Sequence, residues 1–127
     1  MIARKKSLLF FLFVLAFACQ KTAKPPDIAV QYEIAPQPPR AGTTTIDLKL
    51  TDKNGRPVGG ARVDLEGNMS HAGMAPVSSE AKEIEPGKYG GTLQLTMAGD
   101  WIVLVHITLP DGQKLQRQIE ISGVRSN

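Results

Sequence analysis

The residues whose side chains are best suited to functional chemistry are two methionines and a histidine within one six-residue segment. The segment, residues 69–74, reads MSHAGM, so that Met69, His71 and Met74 place two thioethers and one imidazole close together along the chain. Thioether and imidazole are soft to borderline ligands that select copper over Mg²⁺ or Ca²⁺. In an extended backbone Met69 and His71 share one side, and Gly73 lets the chain turn Met74 back toward them. The segment therefore predicts a three-coordinate metal site that favours Cu(I).

Met97 ends another stretch of alternating apolar residues, and it is the candidate fourth ligand of the same site. The alternative is that the methionines are packing residues, because the flexible thioether side chain fills gaps in a core. In that interpretation Met69 and Met74 cap one end of the domain, and Met97 is an interior residue. Both interpretations stay open at this point.

His106 is the second of the two histidines in the chain. It has the opposite parity to Trp101 along an alternating stretch, which predicts an outward side chain beside Ile102, Leu104 and Thr108. That face is apolar, so we expect it to be covered by a second sheet or by a partner. We therefore interpret His106 as a structural residue.

The sequence lacks the motifs from which common active sites are built. It contains no Gly-x-Ser-x-Gly elbow, no glycine-rich phosphate loop and no His-Glu-x-x-His zinc motif. The carboxylates fall mostly at solvent-facing or turn positions, and examples are Asp47, Asp64, Glu66, Asp100 and Glu120. We therefore expect the chain not to be an enzyme.

The N-terminal residues have the three parts of an export signal. Residues 4–6 are basic, residues 8–17 are almost purely aliphatic and aromatic, and residues 16–18 read Ala-Phe-Ala before Cys19. The apolar run has about a dozen residues, whereas a membrane-spanning helix needs roughly 20. We therefore predict that residues 1–18 are a signal peptide.

Cys19 is the only cysteine in the chain, and a lone cysteine in an exported protein calls for an explanation. Its surroundings resemble a bacterial lipobox, in which the cysteine is diacylated and becomes the new N-terminus, although Ala16 stands where that pattern usually has Leu. The alternative is simple secretion, because Ala16 and Ala18 also fit an ordinary signal peptidase site. Acylated Cys19, followed by a tether within residues 19–27, would anchor the protein to a membrane of the cell envelope, facing the periplasm or the cell exterior.

The basic balance of the whole chain comes from the signal segment. The isoelectric point is about 9.2, but three of the fifteen Lys and Arg residues precede Cys19, and no acidic residue precedes Asp27. The remainder carries twelve basic and twelve acidic side chains, with no cluster of Lys and Arg among aromatic residues. We therefore expect no nucleic-acid partner.

From Ile28 onward, short alternating stretches are separated by turn residues. The alternation is clear in residues 43–51 and 101–109, and it is weaker in residues 75–84, where we expect only a short strand. Asn54 and Gly55 predict a tight hairpin turn, because Gly55 readily takes a positive φ.

About seven such strands, with turns at intervals of roughly 8–12 residues, predict an all-β fold. The twelve Gly and nine Pro residues agree with a turn-rich domain. We predict a single immunoglobulin-like β-sandwich over residues 28–123, with Trp101 at the centre of its core.

The order of several short motifs gives a family resemblance over about residues 28–122. The motifs are NGRPV at residues 54–58, GARV at 60–63, MSHAGM at 69–74, GKY at 87–89 and MAGDW at 97–101. In this order they resemble the YtkA-like domain family, which is related to FixH.

The resemblance implies a compact β-sandwich in an exported or membrane-associated protein, with a link to copper or heavy-metal handling. We therefore expect a non-enzymatic accessory protein, anchored through Cys19, that serves a metal efflux or oxidase assembly. The alternative is an interaction module without metal, whose loops or apolar outer strand dock on a membrane assembly.

Overall fold

The computed structural model describes residues 26–71 and 73–127. Seven β-strands account for most of these residues, and every strand pairing between them is antiparallel. The strands are β1 Ala29–Ala35, β2 Gly42–Thr51, β3 Arg62–Met69, β4 Val77–Glu85, β5 Lys88–Leu95, β6 Gly99–Thr108 and β7 Lys114–Val124. The predicted signal peptide, Cys19 and most of the predicted tether lie outside the described residues.

The hydrogen-bonded strand order is β1-β2-β5-β4-β3-β6-β7, and β4 divides it into two layers. Residues 77–81 of β4 pair with β3, whereas residues 82–85 pair with β5, with a register shift between Glu83 and Glu85. One layer is therefore β1-β2-β5 with the second half of β4, and the other is β3-β6-β7 with the first half. The fold is the predicted all-β, immunoglobulin-like sandwich.

The core lies between the layers and follows the period-2 alternation of the strands. In β6 every second residue from Trp101 to Ile107 is buried, and in β2 every second residue from Thr44 to Leu50 is buried. The indole of Trp101 is 2% exposed, which confirms its predicted place in the interior. Because both layers contribute buried residues to one hydrophobic cluster, the two layers share a single core.

The connection from β1 to β2, both in one layer, is hydrogen-bonded to the chain just after β7 in the other layer. The Ala41 amide donates to the Arg125 carbonyl oxygen at 2.7 Å, and the Arg125 amide donates to the Pro39 carbonyl oxygen at 3.0 Å. Arg40 and Arg125 form a parallel bridge. The proline-rich segment therefore lies against the end of β7 and covers part of that edge.

Two local predictions need correction. Strand β4 has nine residues, whereas the sequence predicted a short strand. Ala81 is its only buried residue, and the strand is stabilised by pairing with both β3 and β5. Asn54 and Gly55 do form a turn, with a positive φ at Gly55 and its amide donating to the Asp52 carbonyl oxygen. This turn does not join two paired strands, because β2 and β3 belong to different layers. The only pairing around it in the described part of the chain is one isolated bridge between Thr51 and Pro57.

The alternation of strand directions places the connections at two opposite ends of the sandwich. One end carries the connection 36–41, Met69, and the connections that follow β3 and β5. Met69 and residues 70–71, 73–76 and 96–98 are called the Met rim. The other end carries residues 52–61, 86–87 and 109–113, together with the start of β1. The segment that leads from Cys19 therefore enters the domain at the end opposite the Met rim.

Candidate metal site at the Met rim

Met69 is the last residue of β3 and the most enclosed of the predicted ligands. Its backbone pairs with Trp101 of β6. Its side chain is half-buried and packs against the hydrophobic core. Packing of this kind restricts the thioether to a small range of positions at the end of the strand.

His71 and Met74 follow in the connection from β3 to β4, and both are exposed to solvent. Met74 is 39% exposed, a large fraction for an apolar side chain. The structure thus brings Met69, His71 and Met74 to the same end of the domain. It leaves the imidazole and one thioether accessible from outside.

Met97 lies on the neighbouring connection from β5 to β6, beyond the end of β5 at Leu95. Its side chain is 47% exposed, so the expectation that Met97 is an interior residue is wrong. The alternation of β5 stops at Leu95 because the chain turns there toward the other layer. Met97 is therefore available at the Met rim, as the interpretation of it as a ligand requires.

Trp101 contacts this connection through its ring nitrogen, a role that the sequence analysis missed. The Nε1–H group donates to the Met97 carbonyl oxygen at 2.9 Å. Buried indoles usually find a hydrogen-bond partner, so a tryptophan predicted to be buried signals that some such acceptor exists. The periodicity of the strands does not identify which one.

Gly99 makes room for Met69. A Cβ atom on Gly99 would stand 3.0 Å from the Met69 Cε atom, and the Gly99 φ of +130° is one that residues with side chains rarely adopt. A glycine at the start of β6 is therefore what allows Met69 to lie beside this strand.

His106 lies on the outer face of the β3-β6-β7 layer, as its parity predicts. Its Nε2 atom is 2.9 Å from the Glu66 Oε2 atom on the adjacent strand, and both side chains are partly exposed. Five residues separate His106 from Trp101, which corresponds to roughly 17 Å along a strand. The two histidines of the chain therefore lie far apart, with only His71 at the Met rim.

The motifs near residues 54–63 and 87–89 meet at the opposite end of the sandwich, around Tyr89. The Tyr89 hydroxyl donates to the Val58 carbonyl oxygen at 2.8 Å and accepts from the Ala61 amide at 3.1 Å. Burial raises the pKa of the Tyr89 hydroxyl above its usual range. These motif residues therefore serve the fold, and they lie at the other end from the candidate ligands.

Glu83 and Gly87 complete that arrangement. The Glu83 carboxylate accepts from the Gly60 amide at 3.2 Å, and a Cβ on Gly87 would stand 2.7 Å from the Pro57 Cβ. Gly87 also has a φ of +80°, so two separate constraints favour glycine at this turn. The GKY motif is thus fitted closely against the NGRPV motif.

A shallow groove of about 640 Å³ lies on the β1-β2-β5 layer. Tyr32 and Ile84 line it and are 49% and 67% exposed. The sequence analysis did not single out either residue. Ile84 lies on the outer surface over Gly90, because it has the parity of Lys82 and the opposite parity to the buried Ala81.

Two other features are absent from the described residues. Within residues 26–71 and 73–127, no three His, Cys, Asp or Glu side chains gather closely enough to hold a metal ion. The same residues include no helix long and apolar enough to cross a membrane.

The model of the YtkA-like family matches residues 22–106, which is more than half of the chain. The chain belongs to the YtkA-like family. The resemblance stated from the sequence motifs is therefore confirmed, and the match includes the MSHAGM segment. A search of the curated proteins gives no significant match.

Three solved structures are similar to this YtkA-like chain at low identity. The soluble domain of PmoD from Methylocystis sp. ATCC 49242 (Rockwell) is 15% identical, with a TM-score of 0.47 over 79% of this chain and 90% of that one. MtrC from Shewanella baltica OS185 is 15% identical, with a TM-score of 0.48 over 76% of this chain and 22% of that one. Murine CRIg is 13% identical, with a TM-score of 0.45 over 78% of this chain and 98% of that one. At these values the three likenesses carry no information about function.

Proposed function

We propose that this YtkA-like chain is an exported, membrane-anchored and non-enzymatic protein that handles copper, with Cu(I) as the favoured ion. The observation that supports this most directly is the gathering of Met69, His71 and Met74 at one end of the sandwich, with Met97 on the adjacent connection. Thioethers and imidazole suit a soft monovalent metal, so the donor set fits copper better than harder ions.

The accessibility of these donors supports delivery or capture of a metal rather than permanent storage in a closed site. His71, Met74 and Met97 are exposed, whereas Met69 is half-buried beside Trp101. A bound ion would therefore be held at the surface, where a partner can reach it. In the proposed role the partner belongs to a metal efflux or oxidase assembly.

The anchor in this proposal is the diacylated Cys19. Residues 20–25 would connect it to Pro26, the first described residue, on the side of the domain away from the Met rim. Two or three acyl chains hold a protein stably at a membrane, whereas a single chain is marginal.

The two histidines provide a matched test of the metal site. Replacing His71 with Gln removes an exposed imidazole at the Met rim, whereas replacing His106 with Gln removes one that lies beside Glu66 on the outer face. We expect His71→Gln to weaken Cu(I) binding about 10- to 100-fold and His106→Gln to leave it unchanged. The measurement is competition for Cu(I) with a chromophoric chelator, with metal content checked by mass spectrometry. Equal affinities for the two variants would refute the assignment of His71.

The second candidate function is a metal-free module that docks on a membrane assembly. It is favoured by the groove in which Tyr32 and Ile84 are exposed together. This function predicts that no metal binds stoichiometrically to the purified chain. It also predicts that a co-purifying partner survives His71→Gln and is lost on Ile84→Asp.

A further inference from the structure

The indole of Trp101 connects two methionines of the Met rim. Met69 is the partner of Trp101 in the β3–β6 register, and the Trp101 Nε1–H donates to the Met97 carbonyl oxygen at 2.9 Å. The Met69 Cε atom lies beside Gly99, two residues after Met97. These four residues therefore form one continuous group across the ends of β3 and β6.

Met97 combines an exposed side chain with a backbone that is held in place. Its side chain is 47% exposed, yet its carbonyl oxygen is bound by a ring that is only 2% exposed. The indole is packed in the core and cannot move without disturbing its neighbours, so it fixes the Met97 carbonyl relative to β3. A ligand whose backbone is already fixed loses less conformational freedom when it binds a metal.

Met74 is placed differently. It lies outside the strands, in the connection between β3 and β4, whereas Met69 ends a strand and packs on the core. Of the two exposed methionines, Met97 is therefore the one whose backbone is bound by a core residue, and that residue is the register partner of Met69.

We propose that Met69 and Met97 are the paired thioether ligands of the copper site and that Trp101 is a positioning residue for Met97. This inference rests on the proposed function, and it moves the second thioether from Met74 to Met97, with His71 as the nitrogen donor. It also places bound Cu(I) near the only tryptophan of the chain. Copper binding is therefore expected to change the fluorescence of this tryptophan.

The first experiment compares two methionines by the same substitution. Full-length protein in detergent is titrated with Cu(I) against a chromophoric chelator, as wild type, Met97→Leu and Met74→Leu. Leucine keeps the apolar volume and removes the sulfur ligand. We expect Met97→Leu to raise the Kd at least about tenfold and Met74→Leu by less than about threefold.

The second experiment tests the positioning role of Trp101. Trp101→Phe keeps a buried aromatic ring and removes the N–H donor to Met97, and thermal unfolding shows whether the variant is folded. We expect the Kd for Cu(I) to rise about three- to tenfold in the wild-type background and to stay unchanged in the Met97→Leu background. A purely structural effect of the substitution would lower the affinity equally in both backgrounds.

The outcomes separate this inference from the proposed function. If Met97→Leu binds Cu(I) as tightly as wild type while His71→Gln does not, the function stands and the pairing of Met69 with Met97 is overturned. A wild-type chain that binds no Cu(I) overturns both.

Discussion

The hydroxyl group of Tyr89 joins two of the sequence motifs, NGRPV and GKY, with the start of the GARV motif. The hydroxyl donates a hydrogen bond to the Val58 carbonyl oxygen and accepts one from the Ala61 amide. It therefore connects the start of β5 to the segment that precedes β3. Neither backbone group is fully exposed to water. Removing the hydroxyl would leave both without this partner, and such groups are costly when buried.

We predict that Tyr89→Phe lowers the free energy of unfolding by about 1–2 kcal/mol, because two half-buried backbone groups lose a partner. Tyr32→Phe is the control, since Tyr32 is 49% exposed at the edge strand β1, and we expect it to stay within about 0.5 kcal/mol of wild type. Urea unfolding followed by circular dichroism provides the measurement. A loss for Tyr32→Phe as large as for Tyr89→Phe would contradict this role.

The same variant has a defined pH dependence. Because burial raises the pKa of Tyr89, the folded state holds this proton more tightly than the unfolded chain does. The resulting stability is complete below pH about 10, the unfolded pKa, and is lost as the pH rises through the folded pKa. The difference in unfolding free energy between wild type and Tyr89→Phe is therefore expected to shrink above pH about 10. A constant difference across that range would show that the Tyr89 proton is not involved.

At the scale of the elements, strand β4 is the one that holds the two layers together. Its first half pairs with β3 and its second half with β5, and Ala81 is its buried residue at the junction. Gly91 of β5 faces that junction. A Cβ on Gly91 would stand 3.0 Å from Leu65 Cδ1 and 3.1 Å from the Ala81 Cα atom.

We expect Gly91→Val to destabilise the domain by about 2–3 kcal/mol, because the close neighbour at Ala81 is backbone and cannot move aside cheaply. Thr92→Val is the control, because Thr92 is the next residue of β5 and its side chain is exposed. We expect it to change the free energy of unfolding by less than about 0.5 kcal/mol. Denaturant midpoints of the two variants compare them directly. If Gly91→Val were as stable as Thr92→Val, the approach of β4 and β5 would be looser than the structure shows.

The sequence predicts some strands better than others, because the strands differ in how much of their surface faces the core. Strands β2 and β6 are recognisable because each presents one face to the core, and the burial of Trp101 follows from that alternation alone. Strand β4 is underestimated because most of its residues are polar or charged and because it is stabilised by pairing with two neighbouring strands. Local periodicity does not report partners that are distant in sequence.

The candidate site is predictable only in part for the same reason. The MSHAGM segment is recognisable from its residue types alone, and these indicate Met69, His71 and Met74 as candidate ligands. The exposure of Met97 depends on the end of β5, and its contact with Trp101 depends on a turn between the layers. The bonds between Tyr89 and residues 58–61 span about thirty positions of sequence, so the motifs can be listed without knowing that they touch.

At the scale of the whole molecule, the proposed anchor can be tested independently of the metal. We predict that Cys19→Ser moves the protein from the detergent phase to the aqueous phase in a detergent partition, and that it abolishes metabolic labelling with a palmitate analogue. The physical reason is the loss of the thiol that carries the acyl chains. Ala16→Leu, which brings the segment closer to the usual lipobox, is expected to keep both properties. Labelling that persists in Cys19→Ser would assign the anchor to another residue.

The Met rim and the start of β1 lie at opposite ends of the domain, and this sets how far the proposed metal site would stand from the proposed lipid anchor. Strand β6 runs the length of the domain with ten residues, or roughly 33 Å. If the domain stands upright on an acylated Cys19, the candidate metal ligands of the proposed site would lie at least about that far from the lipid headgroups. A diffusible carrier protein could then exchange an ion with the site directly. A transporter that opens at the bilayer surface could do so only if the domain tilted toward the membrane.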